Sequence, residues 1–145
     1  MHIVLVASEF NAPIPDKMVE VARTRARALG VEAEVVRVPG TWEIPLAVRA
    51  VLARRDVDAA VAIGAVVTGE TKHDELIAEA VARELMHLQR ETGKPVGLGI
   101  TGPGMTWEQA EARVKNAGRA VEAAVRAAEA LRELRGARPG KKARG

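Results

Sequence analysis

The sequence predicts an α/β protein: a three-layer αβα sandwich in which a four-stranded parallel sheet is flanked by helices on both faces. Three features predict it. Four short apolar runs alternate with four segments of helical periodicity, and the links between them are short. The third run, DAAVAIGAVV at 58–67, is apolar on both strand faces, as in a parallel strand covered by helices on each side. Strands alternating with helices pair in parallel through right-handed crossovers.

Each element has its own signal. HIVLVAS (2–8) reads as the first strand, and a helix is expected over about 14–30, with Pro15 in its first turn and Gly30 as its stop. AEVVRVP (33–39) is the second strand. The following helix, about 42–55, opens with Glu43, a carboxylate favoured by the free N–H groups at a helix start, and Pro45 sits in its tolerated first turn. After the third strand, Thr71 and Asp74 have the spacing of a capping box for a helix over 72–92. PVGLGIT (95–101) is the fourth strand. The last helical segment, 106–135, starts with a second capping box, Thr106 and Gln109, and Gly118 is expected to divide it.

The 145 residues, 48% of them apolar, suffice for one core, and residues 1–135 are expected to form a single domain. The net charge of +3 is localised. Residues 136–145, GARPGKKARG, carry four basic side chains and no acid; the remaining 135 residues hold 18 basic against 19 acidic ones. The tail is expected to be disordered, and with no aromatic residue interleaved in it, nucleic acid is not an expected partner. No apolar run approaches the roughly 18 residues of a membrane span, and MHIVLVAS lacks the features of a signal peptide. Cysteine is absent, which removes disulfides, thiolate nucleophiles and cysteine-ligated metals, and a cytoplasmic location is expected.

In an open parallel sheet, ligands bind beyond the carboxyl ends of the strands. Those ends are SEFN, PGTWE, VVTGETKH and ITGPGMT. Of three aromatic residues in the chain, Phe10 and Trp42 fall just past strand ends, either as plugs on the core or as faces for a flat ring. Glu43 is either a helix-start charge or an acceptor for ring N–H groups. The amides around Glu70 and Thr71 would form an anion site at a helix N-terminus. His73 lies in that first turn, where the dipole disfavours imidazolium while Asp74 and Glu75 favour it. It is either a solvated histidine or a proton carrier. His2 and His87 lack such a setting. Arg113 and Arg119 are solvated helix charges unless a phosphate is present, which guanidinium binds bidentately. No metal site is expected, because HDE places its side chains around the helix. GLGITG (97–102) has the spacing GxGxxG but runs along the predicted fourth strand and does not open a helix, so it gives no support to a dinucleotide site, and GxxxxGK[ST] does not occur.

Taken in order, EFN, VPGTWEIPLA, AIGAVVTGETKHDE, PVGLGITGPGMTWEQAEAR and AGRAVEAA resemble the lumazine synthase family over about residues 3–134, with GETKHDE and GITGPGMT most similar to its archaeal branch. The resemblance implies a cofactor-free transferase of riboflavin biosynthesis. It would condense 5-amino-6-(D-ribitylamino)uracil with 3,4-dihydroxy-2-butanone 4-phosphate to 6,7-dimethyl-8-ribityllumazine, phosphate and water. It also implies a homo-oligomer built on pentamers, some of which in this family form icosahedral capsids, with active sites shared between neighbouring subunits. By the same resemblance Phe10 would stack on the pyrimidine, with Thr41, Trp42 and Glu43 at its edge and ribityl chain, and Ala65, Val66 and Val67 offering backbone groups. Glu70 and Thr71 would hold the phosphate through main-chain amides, and His73 would move protons. Leu98, Arg113 and Arg119 match positions supplied by the neighbouring subunit, with Arg113 clamping the phosphate. Leu98 stands where bacterial members have phenylalanine, Thr68 where arginine is common, and Glu70 where a small residue is usual. The loop before Arg119 is about two residues short. Two other readings remain: an archaeal-type riboflavin synthase of similar fold, and a non-catalytic flavin-binding shell protein.

Overall fold

The computed structural model describes residues 1–69 and 73–136. Four strands, β1 (His2–Ser8), β2 (Glu32–Val38), β3 (Ala59–Val67) and β4 (Val96–Met105), form one parallel sheet in the order β2-β1-β3-β4. Between them lie α1 (Pro13–Ala28), a 3₁₀ turn at Thr41–Glu43 running into α2 (Ile44–Leu52), and α3 (His73–Thr92); α4 (Trp107–Ala112) and α5 (Asn116–Gly136) close the fold. The sheet grows from β1 in two directions. Right-handed crossovers therefore put α1 on one face and α2 and α3 on the other, and α5 joins α1.

The strand alternation separates two cores. Ile3, Leu5 and Ala7 of β1, with Ala59, Val61 and Ile63 of β3, pack against Ile14, Met18 and Ala22 of α1 and Val121 and Ala124 of α5. Val4, Val6, Ala60 and Ala62 face Ile44, Val48 and Leu52 of α2 and Val81, Leu85 and Leu88 of α3. Eight of the nine residues of β3 are buried, which is why its sequence shows no polar alternation.

The predicted signals are largely realised. Prolines occupy the first turn of α1, and Leu29 and Gly30 end it. The Thr106–Gln109 capping box forms in both directions. The proposed Thr71–Asp74 box and the basic tail lie outside the described residues. The division of the last helical segment falls at Arg113–Lys115 and not at Gly118, which is buried inside α5 against Val21 and Arg25. A glycine inside a helix costs only about 1 kcal/mol against alanine, and the packing of α5 on α1 offsets it, so α5 runs through Gly118.

At the amino ends of the strands lies a charged girdle. The His2 amide donates to Asp58 over 2.8 Å, and Arg132 reaches the same carboxylate over 2.9 Å. Arg54 bonds both Glu34 and Asp56, and Lys94 Nζ donates to the carbonyls of Leu52 and Arg54.

Candidate active site

The carboxyl ends of β1 and β3 are where the chain leaves the sheet toward opposite faces, so a crevice must open between the two loops. It does. A cleft of about 240 Å³ is lined by Phe10 and Asn11 after β1, by Gly40, Thr41 and Trp42 after β2, by Ala65, Val66, Val67 and Gly69 at the end of β3, and by His73, Asp74 and Ile77 of α3. Strand-end residues singled out from sequence therefore meet in one place: Phe10, Thr41, Trp42, Ala65, Val66, Val67 and His73.

Phe10 and Trp42 are 72% and 59% exposed, so neither plugs the core. Apolar rings held in solvent at a cleft mouth offer stacking faces. Thr41 behind them is buried, and it packs against bare backbone: a Cβ on Gly64 would come within 2.7 Å of Thr41 Oγ1 and 3.2 Å of Ser8 Oγ. Gly64 is thus required by close approach, and it leaves room for Thr41 behind the cleft. Glu43 is half-buried beside the lining. Its Oε2 and the Ser8 Oγ are buried with no hydrogen-bond partner among the described residues.

His73 is the first residue of α3 and is exposed to the cleft, while its neighbour Asp74 is buried. Asp74 Oδ2 accepts a hydrogen bond from the Gly104 amide at 3.0 Å. β4 continues past the predicted Thr101 because it bulges there. Its pairing with β3 shifts between Ala65 and Val67 and resumes at Val67–Met105. Gly102 and Gly104 have φ of +100° and +75°, and a Cβ on Gly102 would lie 2.0 Å from the Val66 carbonyl oxygen. No other residue type fits at Gly102.

Other sequence-predicted residues lie elsewhere. Leu98 is exposed on edge strand β4, in a separate groove with Ala78, Glu79, Ala82, Ile100, Gly102 and Pro103. Arg113 is exposed after α4, with Nη1 3.6 Å from Met105 Sδ, and Arg119 is exposed on α5. None of the three lines this chain's cleft. Glu70 and Thr71 lie outside the described residues. Among the described residues no group of three or more His, Asp or Glu side chains could hold a metal, and no helix is long and apolar enough to cross a membrane.

Three lining residues were not assigned to the site from the sequence. Asn11 adopts φ +60° and its Nδ2 donates to the Ala65 carbonyl over 3.1 Å, joining the β1 loop to the floor of the cleft. Asparagine tolerates this backbone region better than most residues, and that was the available signal. Asp74 had been read as a capping partner and as a charge beside His73, not as a lining residue, and Ile77 had not been singled out.

Comparison with known proteins bears on this cleft. The family model described as 6,7-dimethyl-8-ribityllumazine synthase matches residues 1–135. The chain is 51% identical to the 6,7-dimethyl-8-ribityllumazine synthase of Methanopyrus kandleri over 133 residues, covering 91% of this chain and 94% of that one. The protein of the same name from Archaeoglobus fulgidus is 51% identical over 130 residues (89% and 91%), and that from Staphylothermus marinus 56% identical over 124 residues (84% and 83%).

Proposed function

The chain belongs to the 6,7-dimethyl-8-ribityllumazine synthase family, and we propose that the cleft at the β1/β3 switch point carries out that family's condensation, with the residues named here in specific roles. The observation that carries the residue assignment is the convergence of Phe10, Thr41, Trp42 and His73, from two loops and a helix start, on one cleft.

The chemistry suits those groups. The ring amine of 5-amino-6-(D-ribitylamino)uracil attacks the ketone of the butanone phosphate, and an imine forms with loss of water. Phosphate then leaves by β-elimination, and the ribitylamino nitrogen closes the ring with loss of a second water. Every step moves a proton, and an imidazole at the cleft wall can donate and accept in turn. Phe10 supplies a stacking face, and Thr41 and the half-buried Glu43 supply polar groups for the ring edge and the ribityl hydroxyls. Glu43 Oε2 is buried with no hydrogen-bond partner among the described residues, and a rotation of the side chain into the cleft would let a ligand donor satisfy it. Backbone groups of Ala65, Val66 and Val67 face the same space. Holding two substrates in register contributes on the order of 7–11 kcal/mol of barrier reduction by itself.

The phosphate site is assigned to the main chain at Glu70 and Thr71 together with Arg113 and Arg119. Those arginines and Leu98 do not reach this chain's cleft, which supports a homo-oligomer, pentameric in form, whose neighbouring copy completes each site. Leu46, Leu76, Met86 and Leu98 stand exposed on the single chain, as surfaces that a partner would cover. A pentamer-based capsid and a cytoplasmic location belong to the same reading.

Mixing the two substrates with the purified protein tests the function. Lumazine absorbance should appear at a rate above the uncatalysed reaction. Formation of riboflavin from lumazine alone would instead favour the riboflavin synthase reading.

A further inference from the structure

We propose that Asp74 is a positioning residue for the proton transfers assigned to His73, acting as a strut between the start of α3 and the bulge of β4. This rests on the reading of His73 as the proton carrier. A carboxylate in the first turn of a helix usually caps that helix's own amides. Asp74 instead directs Oδ2 to an amide thirty residues further along the chain, Gly104 N–H at 3.0 Å. Its residue is only 7% exposed, and a carboxylate so far from water requires such a charge-assisted bond.

What the strut fixes follows from its two ends. Gly104 belongs to a segment that presses on β3: Gly102 leaves no space for a Cβ against the Val66 carbonyl, and the Thr68 amide donates to the Met105 carbonyl over 2.8 Å. That segment is therefore rigidly joined to the Ala65–Val67 floor of the cleft. The other end of the strut is the residue next to His73. The chain itself connects the floor to His73 only through the residues after Gly69. The Asp74–Gly104 bond gives a second connection, and it holds the imidazole at a set distance above the floor where the ring must lie. Loss of the strut leaves the pocket's walls and aromatic rim in place and lets the imidazole drift.

The experiment compares the full-length wild type with Asp74→Asn, which keeps an acceptor oxygen at the same reach, and Asp74→Ala, which removes it. Asp74→Ser, whose oxygen is one bond too short to reach Gly104, substitutes for the alanine variant should that one not fold. Two readouts are taken: hydrogen exchange at the Gly104 amide, which needs no activity, and steady-state kinetics with each substrate across pH. The expected result is a Gly104 amide protected in wild type and Asp74→Asn but fast in Asp74→Ala or Asp74→Ser. In the latter two kcat should fall roughly 10–100-fold, the cost of about an ångström of misplacement. KM for the pyrimidine should stay within about twofold, and Asp74→Asn should stay within about threefold of wild-type kcat. A wild-type Gly104 amide without protection, kcat unaffected by alanine or serine, equal losses in kcat and pyrimidine affinity, or an asparagine variant as poor as alanine would each overturn the proposal. Should the wild type make no lumazine at all, the family reaction is at fault, and the exchange pattern still reports whether the strut exists.

Discussion

The amide of Phe10, two residues past the end of β1, donates over 2.9 Å to the carbonyl of Pro39, one residue past the end of β2. The loops that carry the two exposed rings, Phe10 and Trp42, are thereby tied at their origins. The rim is pre-formed, and a ligand that stacks on it need not order it first.

Phe10→Ala should therefore act on binding and leave folding intact, because the ring is mostly in solvent. A stacking contact contributes about 0.5–1.5 kcal/mol. KM for the pyrimidine substrate should rise about 3–10-fold by the same figure, with the melting temperature within a degree or two. A large drop in melting temperature would mean that Phe10 supports the core and does not serve as a ligand platform.

His73→Ala should show the opposite split. General acid–base groups contribute about 10²–10⁴-fold, so kcat should fall within that range while both substrates bind almost normally. The pH dependence of kcat should flatten as well. Retention of more than a tenth of the wild-type kcat would remove His73 from the mechanism.

The fold was legible because burial leaves its periodicity in the sequence. β3 reads as a continuous apolar run because helices cover both its faces, and the alternation of runs announces the parallel sheet. The break between α4 and α5 was not legible, since Arg113 at φ −108° ends α4 without glycine or proline. Nor was the extension of β4: GPG reads as a turn, and only the shifted register turns it into a bulge. At the site, Phe10, Trp42 and His73 stood out as rare residues at strand ends. Asn11 and Asp74 did not, because what distinguishes them is a bond to a backbone group 54 or 30 residues away.

Gly64→Ala tests the floor. The added methyl would meet Thr41 Oγ1 at 2.7 Å with Ser8 and Ile44 beside it, in a buried setting that has little room to yield. Destabilisation of about 1–3 kcal/mol is expected by chemical denaturation, together with weaker pyrimidine binding as Thr41 is displaced. Normal pyrimidine affinity in this variant would separate Thr41 from recognition.

Mixing inactive Arg113→Ala with inactive His73→Ala, by dissociation and reassembly, should restore activity. Random reassembly of equal amounts makes about one site in four intact if each site draws on two neighbours. Recovery of no activity, given verified mixed oligomers, would confine the site to one chain.

Acid should weaken the fold partly through Asp58. Burial pushes its carboxyl up, but the His2 amide and the Arg132 guanidinium outweigh that and hold it below its ordinary value. A carboxyl lowered in the folded state stabilises above the unfolded value of about 3.9 and loses that contribution as pH falls through the folded value. Asp58→Asn should therefore cost roughly 1 kcal/mol at pH 7, with a smaller penalty on descending below about pH 4. A penalty independent of pH would show that charge plays no part.

Asp58, Arg54 and Lys94 stand at the opposite pole of the sheet from Phe10 and His73, a full strand of nine residues away along β3, or about 30 Å at 3.3 Å per residue. Groups so far apart, with no shared neighbour, contribute additively. Thermal tolerance and turnover are thus adjustable by separate knobs in this molecule: ionic rungs at one pole can be rebuilt for a hotter or more acidic habitat while the other keeps its chemistry.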